Sequence, residues 1–309
     1  MPNSFLIFLL LFLQNAVLSA QKVVSITIDD VPNTNLYQQQ NHQAPLLQQL
    51  EALQIPTAIF INEGLLYKTT ALSQNFDLLH QWIKSDYTTL GNHTFSHSRY
   101  STTGPSFFSD ILKGAYISTE LAQYYNKTLH HFRFPYNDLG KDSLQQAAVE
   151  AFLRKQGYQT TPFTIESSDW LYNYVYKYYW EQQQEEKAKE IGQEYVTKTL
   201  AYFDFFETLA FNEYHRPIKH IYLCHDNLLN AHYLPLLIKE LQARNYQFIS
   251  LDAALQDPIY QQPNYYYKKW GISWLYRWKP IHKERIELLQ QEPSTEAIQA
   301  LYERILKEK

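Results

Sequence analysis

Residues 23–28 are a short run rich in Val and Ile that stops in two adjacent carboxylates, Asp29 and Asp30, just before Pro32. Such a run reads as a strand buried on both faces, and the proline cannot continue it. The next segment has one apolar side (Pro45, Leu46, Leu47, Leu50, Leu53), as a helix requires. Strand and helix patterns then alternate. Residues 57–61 predict a second strand, 76–83 a helix, and 87–90 a third strand followed by Gly91-Asn92-His93. Residues 107–125 read as a helix and 131–134 as a fourth strand ended by Pro135. Residues 143–155 read as a helix closing at Gly157. Residues 162–165 predict a fifth strand leading to Asp169-Trp170, and 181–211 a long helical region. A sixth strand, 219–224, ends in His225-Asp226. A helix over 231–244 and a seventh strand over 246–251 complete the series.

Strands alternating with helices argue for a parallel sheet, hence the α/β class. About seven such units with no obvious linker argue for one barrel over residues 21–255. In such barrels the chemistry sits at the carboxyl ends of the strands. Asp29, Asp30, His93, Arg133, Asp169 and His225 all fall there. Strand ends also collect polar residues for solvation alone, so residue type and spacing must carry the argument.

The 309 residues are enough for one such barrel, and a net charge of -4 offers no basic surface for nucleic acid. The single cysteine, Cys224, excludes an internal disulfide and falls inside the sixth strand, where a small buried residue belongs. The chain holds 26 Tyr, 17 Phe and 6 Trp, most of which packing accounts for, although exposed ones can stack on sugars. Residues 1–20 read as a targeting segment. The apolar run 5–13 precedes Ala16-Val17-Leu18-Ser19-Ala20, which offers a small-residue cleavage site, and no Lys or Arg comes before the run. The run is too short to span a bilayer comfortably. Cleavage after Ala20 is expected to leave an exported chain, periplasmic or secreted, with no transmembrane anchor.

Gly91-Asn92-His93-Thr94-Phe95-Ser96-His97 carries two histidines four apart. On a helical turn they would face the same way and could share a metal. The metalloprotease pattern needs Glu directly after the first histidine, and Thr94 stands there. Asp30 can add an oxygen, giving a two-histidine, one-carboxylate site open to water and substrate. Asp29 is then placed to act as a general base, and His225 to protonate a leaving amine. Asp169 could orient His225 and raise its pKa, Arg133 could keep Asp29 ionised, and Trp170 could wall the pocket.

At these residues the chain resembles the polysaccharide deacetylases of carbohydrate esterase family 4, the NodB homology domain. Five family motifs have counterparts in order: Thr27-Ile28-Asp29-Asp30, His93-Thr94-Phe95-Ser96-His97, Arg133-Phe134-Pro135-Tyr136, Asp169-Trp170 and Leu223-Cys224-His225. The resemblance covers about residues 22–255. It implies a distorted (β/α)7 barrel, with Asp29 as base and Asp30, His93 and His97 binding a divalent metal, usually zinc. It further implies His225 as acid tuned by Asp169, Arg133 orienting Asp29, and the backbone amide of Tyr136 helping to hold the oxyanion. Trp170 and Leu223 would line the pocket for the acetyl methyl. Ile28 replaces the usual Phe, and Glu166-Ser167-Ser168 before the fourth motif departs from the commoner pattern. The expected activity is removal of N-acetyl groups from a GlcNAc-containing glycan. An O-acetyl xylan esterase and a catalytically idle glycan-binding barrel are the alternatives. A hydrolase of small amides or imides fits an exported chain poorly.

Two stretches lie outside the motifs. The gap from Asp169 to His225 looks long, with an insertion at about 171–215. It carries Tyr172, Tyr174, Tyr176, Tyr178, Tyr179 and Trp180, then a charged run. It reads either as a helix with one packed face or as aromatics shaping a substrate groove. Residues 256–309 form a C-terminal extension. Its last helix, with Ile298, Leu301, Tyr302 and Ile305 in one stripe and Ser294 as N-cap, is expected to pack on the barrel. His42, His80, His130, His131, His215, His220, His232 and His282 join no constellation.

Overall fold

The computed structural model describes residues 21–308. The targeting segment and its cleavage site lie outside the described residues. Eight parallel strands form one curled sheet: β1 (Lys22–Val31), β2 (Thr57–Ile61), β3 (Thr88–Asn92), β4 (Leu129–Phe132), β5 (Gln159–Thr160), β6 (Ile165–Glu166), β7 (Lys219–His225) and β8 (Tyr246–Phe248). Their spatial order is β5-β4-β3-β2-β1-β7-β6, with β8 beside the start of β1. Helices cover the outside, so strand residues are buried on both faces. In β1, Val24, Ile26 and Ile28 point one way and Ser25, Thr27 and Asp29 the other, and all six are buried. Thr27 and Asp29 face the barrel interior, where Arg133 reaches both.

The expected fifth strand, 162–165, is mostly not a strand: Pro162 has no N–H for a ladder, and short strands lie on either side of it, β5 before and β6 after. β5 and β6 are the two edges of the curled sheet, and residues 161–164 cross between them. Thr161 N donates to Phe132 O on one side at 2.8 Å, and Thr164 N to Ile221 O on the other at 2.9 Å. The C-terminal extension seals this seam. Trp274 N donates to Phe163 O at 3.0 Å, and Ser273 Oγ to Thr164 O at 2.8 Å.

One expected helix is divided: the 107–125 segment becomes Ser106–Lys113 and Tyr116–Tyr124, broken at Gly114. The long region, 181–211, is the 30-residue helix Glu185–Tyr214, and a further helix that the expected series of elements lacks, Asp169–Glu181, precedes it. Tyr172, Tyr176 and Tyr179 are buried, so half of the six-residue aromatic cluster is core rather than groove wall. The helix Ser143–Lys155 stands where the sequence puts it. Asp142 caps its start, and Gly157 at φ 77° follows its end. There Gly157 N and Tyr158 N donate to Arg154 O and Leu153 O, a Schellman arrangement.

The last helix, Glu296–Glu308, is 13 residues long and would be marginal alone in water. It packs on Asp169–Glu181 and buries Ile298 and Ile305 completely. Each buried isoleucine contributes about 1.5–3 kcal/mol, enough to hold a helix of this size in place. Among the described residues, no helix is long and apolar enough to cross a membrane.

Candidate active site

β1 delivers two carboxylates through one irregularity. Its register with β2 slips between Ile28 and Val31, and Asp30 takes a left-handed φ of 61°. A bulge of this kind re-aims neighbouring side chains. Asp29 turns inward and is 2 % exposed. Asp30 turns toward two imidazoles, its Oδ1 3.2 Å from His97 Nε2 and 3.7 Å from His93 Nε2.

The two histidines do not share a helical turn. Residues 93–97 form an irregular loop after β3, with Thr94 at φ 66° and His97 at φ 54°. Asn92 shapes it. Its Oδ1 accepts from Thr94 N at 2.7 Å, and its Nδ2 donates to Ile111 O at 2.9 Å. Thr94 Oγ1 then accepts from His97 N at 3.2 Å, and Ser96 Oγ donates to Asp110 Oδ1 at 2.8 Å. Gly114 must lack a side chain, since a Cβ there would lie 2.3 Å from the Thr94 carbonyl carbon. The loop brings the ring centroids of His93 and His97 to 5.0 Å.

His93 Nδ1 lies 2.8 Å from Arg133 O. That oxygen can only accept, so Nδ1 carries the proton and Nε2 keeps its lone pair toward Asp30. Burial pushes the His93 pKa down to about 3, so the ring is neutral at neutral pH. Donor atoms of Asp30, His93 and His97 lie within 4.8 Å of one another. One carboxylate oxygen and two imidazole nitrogens, one of them oriented by an outer hydrogen bond, suit a divalent transition metal.

His225 ends β7, is partly exposed, and pairs with the buried Asp169. Its Nδ1 donates to Asp169 Oδ1 at 2.7 Å and its backbone N to Asp169 Oδ2 at 2.9 Å. Asn227 Nδ2 and Asn230 Nδ2 donate to the same Oδ2 at 2.9 and 2.6 Å. Burial would push the imidazole pKa down, but the Asp169 charge overrides it and holds His225 at about 10. Asp169 also begins with a burial cost. His225 and the amide donors outweigh it and keep the carboxyl below its usual value.

Arg133 follows β4 and is fully buried inside the barrel. Its Nη1 is 3.4 Å from Asp29 Oδ1, Nη2 donates to Thr27 Oγ1 at 3.1 Å, and the guanidinium packs over Phe60. Burial raises the Asp29 carboxyl pKa; Arg133, then His225, pull it back only in part. Arg133→Met would leave Asp29 buried without its countercharge, at a cost on the order of 3 kcal/mol. Urea unfolding at pH 7 measures it, and a loss within about 0.5 kcal/mol would mean the pair stabilises nothing.

These groups border one cleft of about 880 Å³. Asp29, Asp30, His93, His97, Tyr136, Trp170, Leu223 and His225 line it, while Arg133 and Asp169 stand behind as supports. Tyr136 takes φ 57°, its ring 4.6 Å from that of His97. From the long insertion only Asn173 joins Trp170 at the cleft, which limits any groove built from that segment.

Several lining residues carried little sequence signal. Glu166 has its pKa raised to about 7 by burial and by Asp169, and Asp226 reaches about 7 by burial. Asp226 Oδ2 accepts from Asn33 N at 2.8 Å and so ties β7 to the loop after β1. Asn227 had a readable signal, a capping residue between a strand and an apolar run. Trp270 and Gly271 come from the C-terminal extension. His130 and His131, left without partners by the sequence, both approach Asp252, at 3.5 and 2.9 Å. This contact links β4 to the short helix Leu251–Leu255.

Comparison with known proteins agrees with this fold. The family model of the polysaccharide deacetylases matches residues 17–159. Over those residues the chain resembles the polysaccharide deacetylase family. A mutant of BA3943, described as a CE4 family pseudoenzyme, shares the fold at TM-score 0.52 and 14 % identity, covering 77 % of this chain and 68 % of its own. The Bc1960 peptidoglycan N-acetylglucosamine deacetylase also aligns at TM-score 0.52 and 14 % identity, over 76 % of this chain and 88 % of its own. At that identity the likeness concerns the (β/α)7-type barrel alone. No protein of curated function matches the chain by sequence.

Proposed function

We propose that this chain is an exported, metal-dependent enzyme of the polysaccharide deacetylase family that hydrolyses N-acetyl groups of a GlcNAc-containing polymer, such as peptidoglycan, chitin or poly-GlcNAc. One observation carries the reading. The buried Asp29 carboxylate and the Asp169-held His225 border the same cleft as the Asp30, His93 and His97 donor set. A structural barrel has no need of a base, an acid and a donor set around one cavity.

Asp30, His93 and His97 would hold the ion, zinc being the usual one for such donors. When bound, it would supply Lewis acidity toward an acetyl carbonyl and a water. Asp29 takes the proton of the attacking water, and the pKa that burial raises makes it a stronger base than an ordinary carboxylate. Arg133 fixes the direction of that carboxylate. The backbone N–H of Tyr136 faces the oxyanion, and Leu223 and Trp170 receive the acetyl methyl. His225, protonated well above neutral pH, gives its proton to the amide nitrogen as the C–N bond breaks. The products are acetate and a free amine. Export rests on the apolar run and small-residue site in residues 1–20.

The test is acetate release by zinc-loaded protein from chitooligosaccharides, peptidoglycan and acetylxylan, with Asp29→Asn as control. The expected result is acetate from a GlcNAc polymer that disappears in the variant. Acetate from xylan alone would move the substrate to O-esters. No acetate with metal bound would leave an idle glycan-binding barrel, which the family neighbour described as a pseudoenzyme makes a real alternative. The metal has its own readout. His97→Ala removes a donor, so zinc affinity should fall by more than the roughly 10–100-fold typical of losing an outer partner. Competition with a chromogenic chelator measures this, and an unchanged affinity would place the ion elsewhere.

A further inference from the structure

Residues 263–273 run without regular structure as a strap beyond the barrel. Arg277, fully buried, fastens it to the cleft. Its Nη2 donates to Trp270 O at 2.9 Å and to Asn137 O at 3.0 Å, and its Nε donates to Ile272 O at 3.2 Å. The guanidinium also packs over Trp274, 4.8 Å from the ring centroid. One cation therefore ties the strap to the turn that holds Tyr136 and Asn137. Gly271 lies directly on that turn. A Cβ there would come within 2.3 Å of Tyr136 O, so no other residue allows this approach.

The anchored strap presents Trp270 to solvent. The residue is 59 % exposed, with Lys269 Nζ 5.1 Å from its ring centroid, beside the cleft that Tyr136 (46 %) and Trp170 (50 %) also border. A large apolar ring held open at a cleft, on a backbone fixed by buried hydrogen bonds, serves a ligand better than it serves the fold. The flat faces of pyranose rings carry C–H groups that pack on aromatic faces, while their hydroxyls stay in water. The cleft is also large. Its volume of about 880 Å³ lies near the top of the range of about 300–1,000 Å³ that holds drug-sized ligands. A single acetylated sugar leaves much of it empty.

The geometry points to a sugar-stacking subsite on the C-terminal strap. Trp270 binds a pyranose adjoining the one that is deacetylated, so the enzyme selects oligosaccharides over single sugars. This inference rests on the deacetylase reading above, and binding and turnover are therefore measured separately. Binding of N-acetylchitopentaose is followed by calorimetry on the zinc-loaded full chain in an Asp29→Asn background, with and without Trp270→Ala. Loss of the stacking face should raise Kd roughly five- to tenfold. Trp270→Tyr should keep most of the affinity, and circular dichroism shows that each variant is folded. In the active chain, the gain in kcat/KM from N,N′-diacetylchitobiose to the pentasaccharide should shrink by a similar factor in Trp270→Ala. Equal Kd values for the two backgrounds, or no binding of the pentasaccharide to either, would overturn the subsite. A Kd that rises in Trp270→Ala while the active chain releases no acetate would keep the subsite and remove the deacetylase reading.

Discussion

Asp29→Asn should lower kcat for deacetylation by about three orders of magnitude, within the range of general base catalysis. The substitution keeps the shape of the side chain and replaces the carboxylate that stands beside the donor set, its Oδ2 3.9 Å from His93 Nε2. Asp29 is buried, faces Arg133, and has a carboxyl lifted above its usual pKa by that burial. An amide has no basic oxygen for the task. Asp30, which faces His93 and His97, is untouched, so zinc binding should persist. The measurement is kcat on a chitooligosaccharide beside zinc content for both proteins. A kcat within about tenfold of wild type would assign the base elsewhere.

Asp169→Asn should be nearly as damaging, and it should change the shape of the pH profile. His225 must be protonated to serve as acid. Its pKa is raised to about 10, with Asp169 overriding the burial that would lower it. A raised pKa means that the proton is held until pH rises through that value, so activity should fall only in strongly alkaline solution. Without the carboxylate charge, burial is left to act on the imidazole, and the proton is lost at lower pH. The alkaline limb of kcat should therefore move toward neutrality, with kcat at pH 8 reduced about a hundredfold or more. The amide side chain would also turn an N–H toward the donors from Asn227 and Asn230. An alkaline limb that does not move would show that His225 is not the acid.

The strand–helix alternation made the barrel legible, because parallel strands buried on both faces stand out as apolar runs. The polar residues at the ends of those runs were legible too, since an Asp, His or Arg beside a β-branched run is easy to see. What was not legible depends on backbone geometry or on distant partners. The histidine spacing suggested a helical turn, but Asn92 and Gly114 impose a loop that no local periodicity encodes. The strand expected over 162–165 is instead a crossing between β5 and β6 that contains Pro162, whose missing donor was visible but whose place at the barrel seam was not. The pairing of Arg133 with Asp29 was expected. That burial would outweigh it on the Asp29 carboxyl depends on packing from the whole barrel. Trp270 is 45 residues beyond His225 in a tail with no motif, and only Arg277 and Gly271 show why it reaches the cleft.

The loop at residues 93–97 bears on when chelation is organised. Hydrogen bonds from Asn92, Thr94 and Asp110 fix it, and Arg133 O fixes the His93 ring. The conformational entropy of arranging these donors is thus lost as the barrel folds and not when an ion arrives. Small zinc modules behave in the opposite way, since the ion itself organises their chain. Here a cation would meet a rigid chelate on a framework that stands without it, and exchange of one divalent ion for another would leave the architecture unchanged.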